Sequence, residues 1–361
     1  MMTARERVQA ALQHGDPDRT PVFEYLLLSP LADRFLERPY AGNPANWNSI
    51  VEEKGWEGAN RQNAVDRVDL ALLLGHDMMY VAPLPPPLNP VLQDPPGQMI
   101  NPEGPDDPVE RVRLRNDLAL DAPPLADEAL MIHVHLKEEM HRRGVDLPVL
   151  APAYAHGVWT DVDLMETMLL APDVAHRHFS LASTRTLALI ERYKTIGIDQ
   201  IGVGGDFSGT RPLISPQAYR EFIVPEIRKL SRRIHEAGLY AINASDGNLW
   251  SVLDDFLFGC EVDGYLEIDM HATMDMGRLK SACGDRITLY GNLDCGNTLS
   301  FGTPAEVRTH TIDCLEAGLG NGGHILCASN AIMASVPFEN YLAIVEAYRE
   351  MFCLPKFDRK L

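Results

Sequence analysis

The sequence predicts an α/β chain folded as a (β/α)8 TIM-type barrel with an N-terminal helical extension. Short apolar runs alternate with helical stretches, as parallel strands buried on both faces do. The runs number eight, which suits a closed barrel better than an open doubly wound sheet. The length of 361 residues fits one such domain, 1–361.

The elements follow in order. Residues 1–70 read as mostly helical around a first strand, TPVFEY (20–25), and would cover the bottom of the barrel or contribute to a homodimer contact. The second strand is DMMYVAP (77–83). After it, residues 83–108 hold ten prolines and no helical period, so a long loop is expected where an active-site lid could sit. The remaining strands are PVLAPAYA (148–155), QIGVGGD (200–206), YAINASD (240–246), GYLEID (264–269), ITLYGNLD (287–294) and GGHILCASN (322–330). Between them, Ser215-Pro216 caps one helix that Gly238 closes, and Thr303-Pro304 caps another ending at Gly318.

Composition excludes several functions. Lys and Arg total 32 against 51 Asp and Glu, a net charge of −19, which repels nucleic acid and anionic lipid. No apolar window is long enough to span a membrane, and the start, MMTARERVQAAL, reads as charged helix, so a cytoplasmic protein is expected. All six cysteines fall after residue 259 without a CxxC pair, which points to free thiols.

In such a barrel the site forms where the strands end. Those ends are polar here: Glu24, His156, Asp206, Asp246, Glu267, Asp269, Asn292, Asp294, Cys295, Cys327 and Asn330. So many carboxylates and thiols suit a bound cation or a proton-transfer site. Glu267, Cys295, Asp246 and Cys327 form a candidate zinc set, since mixed oxygen and thiolate ligation favours that metal. Helix capping is the competing role for Asp246, and burial as an ordinary small hydrophobe that for the cysteines. His156 is a candidate acid or a structural histidine, and Tyr154 with Trp159 would wall a flat ligand or pack in the core.

Several segments together carry a resemblance: RERVQAALQHGDPDRTPVFEY, GGDFSGTRPLISPQAYREFIVPEIRKL, DGNLWSVLDDF, VDGYLEIDMHATMDMGRLKSACGDRITLYGNLDCGNTLSFGTPAEV and GGHILCASNAIMASVPFENYLAIVEAYRE. They resemble the uroporphyrinogen decarboxylase superfamily over the first 25 residues and about 195–350. The resemblance implies a (β/α)8 barrel and one of two chemistries, decarboxylation of uroporphyrinogen or methyl transfer involving a corrinoid on a partner protein. Decarboxylases carry Arg-x-Ala-Gly-Arg after the first strand, whereas this chain reads Glu24-Tyr25-Leu26-Leu27-Leu28-Ser29-Pro30. A substrate with eight carboxylates needs that basic grip. The His-x-Cys and Cys zinc triad of thiol-dependent methyltransferases is replaced by Ala244, Asp246 and Asn330.

The expected function is therefore transfer of a methyl group between a small methylated compound, O-methyl first and N- or S-methyl otherwise, and a corrinoid protein. Glu267, Cys295 and Asp246, with Cys327, would hold zinc; Asp206 and Asn292 would orient substrate, His156 would act as acid, and Glu24, Tyr154, Asp246 and Asn330 would contact substrate. The alternatives are a decarboxylase-like enzyme acting on a porphyrinogen and a non-catalytic barrel that binds a corrinoid or tetrapyrrole.

Overall fold

Seven parallel strands pair in chain order: β1 (Met79–Tyr80), β2 (Val149–Pro152), β3 (Gln200–Gly204), β4 (Tyr240–Ala244), β5 (Gly264–Leu266), β6 (Thr288–Tyr290) and β7 (His324–Ile325). They come from a computed structural model that describes residues 2–27, 30–85, 105–320 and 322–358. The Pro-rich loop expected over 83–108 lies largely outside the described residues.

The curled sheet is the wall of a TIM-type barrel, closed by the segment expected as the first strand. Val22 bridges Leu326 in parallel. Phe23 N donates to Leu326 O at 3.1 Å and Leu326 N to Pro21 O at 2.8 Å, while on the other flank Asp77 N donates to Val22 O at 2.7 Å. The segment forms a bridge rather than a full ladder. Pro21 has no N–H to give, which shortens what the backbone can pair.

Period-2 alternation fills the interior with Phe23, Met78, Leu150, Ile242, Leu266, Tyr290, Ile325 and Cys327. Gln200 joins them, its Oε1 accepting from Tyr290 Oη at 2.7 Å. The helix Ala4–Leu12, opened by a Thr3–Glu6 capping box, plugs the bottom with Val8, Ala11 and Leu12. Ala11 O accepts from Gly323 N at 3.0 Å and Thr288 Oγ1 at 3.3 Å, at the starts of two strands.

Below the ring, Asp77 forms a buried clamp. It accepts from Arg7 Nη1 at 2.5 Å, Arg19 Nη1 at 2.7 Å and Val22 N at 3.0 Å. The clamp joins the plug helix, the closing segment and the approach to β1.

One of the two capped helices differs from expectation in a way the backbone explains. Ser215 Oγ accepts from Ala218 N at 3.1 Å, but the first helix passes through a π segment, Tyr219–Ile223, before Val224–Glu236. Pro225 cannot donate to the preceding turn and its ring crowds it, so the wider turn relieves both. The second helix, Pro304–Gly318, ends at Gly318 as expected. A Cβ there would lie 1.9 Å from His324 Nδ1, so this glycine serves close packing against β7.

Gly204, at the end of β3, has φ +125°, and a Cβ would meet Asn243 Oδ1 at 2.2 Å and Ala244 O at 2.7 Å. Gly204→Ala should lower stability by about 2 kcal/mol or more, read as a drop in urea midpoint. An unchanged midpoint would contradict the close approach of β3 and β4.

Candidate functional site

Alternation carries Gln200 inward through Gly204 to Asp206, and Ile242 inward through Ala244 to Asp246. The two carboxylates meet at the mouth, where Asp246 N donates to Asp206 Oδ1 at 2.9 Å. Asn330, after β7, donates from Nδ2 to Asp246 Oδ2 at 2.7 Å.

Glu267 breaks the alternation. Leu266 faces in and Tyr265 packs outward on Phe256, so a regular strand would aim Glu267 into the helical shell. Its φ of +72° is a left-handed conformation costly for glutamate. The carboxyl hydrogen-bonds Tyr25 and feels the charges of Asp206 and Asp246. Tyr25 also hydrogen-bonds Tyr80, their rings 4.4 Å apart and edge to face.

Burial, reinforced by Asp206 and Asp246, pushes the Glu267 carboxyl up to about 8. Burial, with Asp206 and Asp269, raises Asp246 to about 7, although Asn330 pulls the other way. The mouth therefore holds protons at neutral pH. Asp294 shows the contrast: burial opposes its ionisation, but the N–H groups of Thr298 and Asn297 and the side chains of His271 and Thr298 hold it down at about 2. It is an ionised cap for the turn that follows β6.

The other expected site residues lie elsewhere. Glu24, one position off the inward register, faces the helical shell, where it hydrogen-bonds Tyr341 and accepts from Ala328 N at 3.4 Å. Tyr154 is buried outside the barrel wall, in the field of Glu226 and Cys260. His156 pins its own loop: Nδ1 accepts from Val158 N at 3.3 Å and the ring hydrogen-bonds the Gly205 backbone, while burial lowers it to about 4. Asn292 donates to Met274 O at 3.3 Å and contacts Cys314, both structural neighbours.

Neither thiol hydrogen-bonds a carboxylate of the mouth, although Cys327 lies in the field of Glu24 and Glu267. Cys295 Sγ lies 3.3 Å from Ser329 Oγ, and Cys327 is wholly buried in the barrel interior. Burial pushes both thiols up. Among the described residues no three His, Cys, Asp or Glu side chains group closely enough to hold a metal ion. The zinc set of Glu267, Cys295, Asp246 and Cys327 thus does not fit this arrangement.

Tyr25 and Tyr80 are the site residues that strand-end polarity did not single out. Counting by two from Phe23 and Met78 would have found them, since both interior neighbours point the same way.

A closed parallel barrel with acids and phenols gathered at the C-terminal ends of its strands defines a TIM-barrel protein with its site in the usual place for that fold. The chain belongs to the uroporphyrinogen decarboxylase (URO-D) family, whose model matches residues 150–351. It is 27% identical over 183 residues to a uroporphyrinogen decarboxylase of Coxiella burnetii, covering 49% of this chain and 47% of that one. It is 24% identical over 200 residues to a methylated-thiol–coenzyme M methyltransferase of Methanosarcina mazei, covering 55% of this chain and 48% of that one. The chain thus spans about half the length of the curated relatives it matches. A solved methyltransferase from Methanosarcina mazei superposes with a TM-score of 0.68 at 18% identity, over 98% of this chain and 100% of that one, and shares the barrel fold. Among the described residues, no helix is long and apolar enough to cross a membrane.

Proposed function

We propose that the protein is a methyltransferase that moves a methyl group between a small methylated compound, O-methyl in the first instance, and a corrinoid carried by a partner protein. The observation that carries this reading is the gathering of Glu267, Asp246 and Asp206 at the mouth, where none of the three pairs with an arginine or lysine among the described residues and burial raises Glu267 and Asp246. Such a mouth can give a proton to a developing oxyanion and offers no cation to grip a substrate bearing many carboxylates. The likeness to the Methanosarcina methylated-thiol enzyme supports the same reading.

The corrinoid would supply the cobalt nucleophile that accepts the methyl carbon. The chain's own part is proton and position. As the methyl–oxygen bond breaks, its electron pair stays on oxygen, and the Glu267 carboxyl gives that oxygen its proton. Tyr25 hydrogen-bonds and aims the Glu267 carboxyl, while Asn330 and the Asp246 N–H bond to Asp206 hold the neighbouring carboxyl in place. Glu267 then regains a proton from solvent.

The test pairs two assays on the purified chain: methyl transfer with a reduced corrinoid protein over a panel of methoxylated compounds, and turnover of uroporphyrinogen. Methyl transfer without decarboxylation is expected. Loss of carboxyl groups from uroporphyrinogen, with no methyl transfer, would overturn the proposal in favour of the decarboxylase chemistry named for the Coxiella relative.

A further inference from the structure

Beside the mouth, a cleft lies between the closing segment, β1 and the long helix Pro44–Leu74, lined by Glu24, Tyr25, Tyr40, Arg67, His76 and Tyr80 among others. Arg67 is its unusual member. Elsewhere on the same face of the molecule Arg38 holds Asp66 and Asp69, and Arg143 holds Asp69 and Glu139. Arg67 holds no carboxylate among the described residues. Its Nε donates to Asn63 Oδ1 at 2.7 Å, its Nη1 to the Tyr80 carbonyl at 3.1 Å, and its guanidinium lies 5.8 Å from the Tyr40 ring centre. Among the described residues these contacts use two of five donors, and they fix the plane of the fork.

The charge in this cleft is opposite to that of the whole protein. Burial raises Glu24 to about 8 and lowers His76 to about 4, so both are neutral near pH 7. Burial likewise raises Tyr80 to about 12 and moves Tyr25 and Tyr40 upward. The guanidinium is then the one formal charge among the six side chains named, inside a chain of net charge −19. A half-buried, oriented guanidinium that pairs with no carboxylate among the described residues is a carboxylate receptor. Three tyrosines around it supply flat amphipathic walls.

We propose that this cleft is a carboxylate-binding site in which Arg67 anchors the acid group of a small aromatic substrate, with the substrate's other end at the Tyr25–Tyr80 pair. That pair lines the cleft on one side and reaches Glu267 on the other. The anchoring by Arg67 stands by itself; the orientation toward Glu267 rests on the methyl-transfer reading. One guanidinium matches one carboxylate, which distinguishes such a substrate from a porphyrinogen.

The experiment is calorimetric titration of the purified full chain with benzoate and with benzamide, its uncharged isostere. Wild type should bind benzoate roughly tenfold or more tightly than benzamide, the ratio expected for one charge-assisted contact. Arg67→Met should erase that ratio, and Arg67→Lys should keep part of it. Equal binding of the two probes by wild type, no binding of either at millimolar concentration, or an undiminished ratio in Arg67→Met would overturn the proposal. If circular dichroism shows that Arg67→Met does not fold, wild type and Arg67→Lys decide. Benzoate binding through Arg67 in a chain that moves no methyl group would uphold the anion site while removing the methyl-transfer reading.

Discussion

Replacing Glu267 with glutamine should slow methyl transfer by about a hundredfold or more while making the protein more stable above about pH 8. The loss follows because an amide has no proton to give to the departing oxygen. The gain follows from linkage. The carboxyl titrates near 4.5 when unfolded and near 8 when folded, so the native state binds the extra proton across that interval. Stability therefore falls as pH rises from about 4.5 to about 8 and is flat beyond, with a total penalty of about 5 kcal/mol as an upper bound. Glutamine keeps the shape and carries none of this penalty. Thermal melts across that range should show the variant ahead at the alkaline end and level with wild type at the acid end. Unchanged turnover would remove Glu267 from the chemistry, and a variant less stable at high pH would contradict the like-charge environment.

The second large effect is structural. Asp77→Ala should destabilise the fold by about 3 kcal/mol, because it takes a buried carboxylate from Arg7 and Arg19 at once, leaving Arg7 only Asp18 and Arg19 only Tyr348. Arg7 and Asp77 are almost fully buried, at 3% and 2% side-chain exposure, so water cannot replace the lost partner. Asp77 also accepts from Val22 N, the residue that bridges to Leu326, so the same substitution loosens barrel closure. Equilibrium urea unfolding reads the change directly. A shift below about 1 kcal/mol would show that the arginines find other acceptors.

Much of the barrel was legible because burial on both faces leaves an unmistakable run of apolar residues. Seven of the eight expected runs pair in the sheet and the eighth, 20–25, closes it with a bridge. The site was legible to the extent that strand alternation persists. Asp206 and Asp246 meet because each lies two residues past an inward position at the end of its strand, whereas Asn330 is off the parity of Ile325 and Cys327 and reaches Asp246 from the loop after β7. Glu24 went the other way for the same reason, its neighbour Tyr25 taking the inward position. Glu267 reaches the mouth through a left-handed backbone that no periodicity reveals. The expected roles of Tyr154, His156 and Asn292 rested on residue type at a strand end, and type says nothing about whether a backbone group nearby claims the side chain. For Cys295 and Cys327 the sequence shows sulfur but not depth.

The two isolated bridges that complete the ring, Val22 to Leu326 and Leu27 to Ile332, have a consequence for how the molecule is made. The segment around Val22 leaves the ribosome early and its partner Leu326 late, so most of the nascent sheet must persist with two open edges. Closure has one of the longest sequence separations in the chain, and contacts of that kind form slowly. During synthesis the exposed flanks of Met79–Tyr80 and the later strands need shelter, and the Ala4–Leu12 helix cannot find its seat until that last segment arrives. Newly made chains should accordingly become protease-resistant in one late step rather than strand by strand.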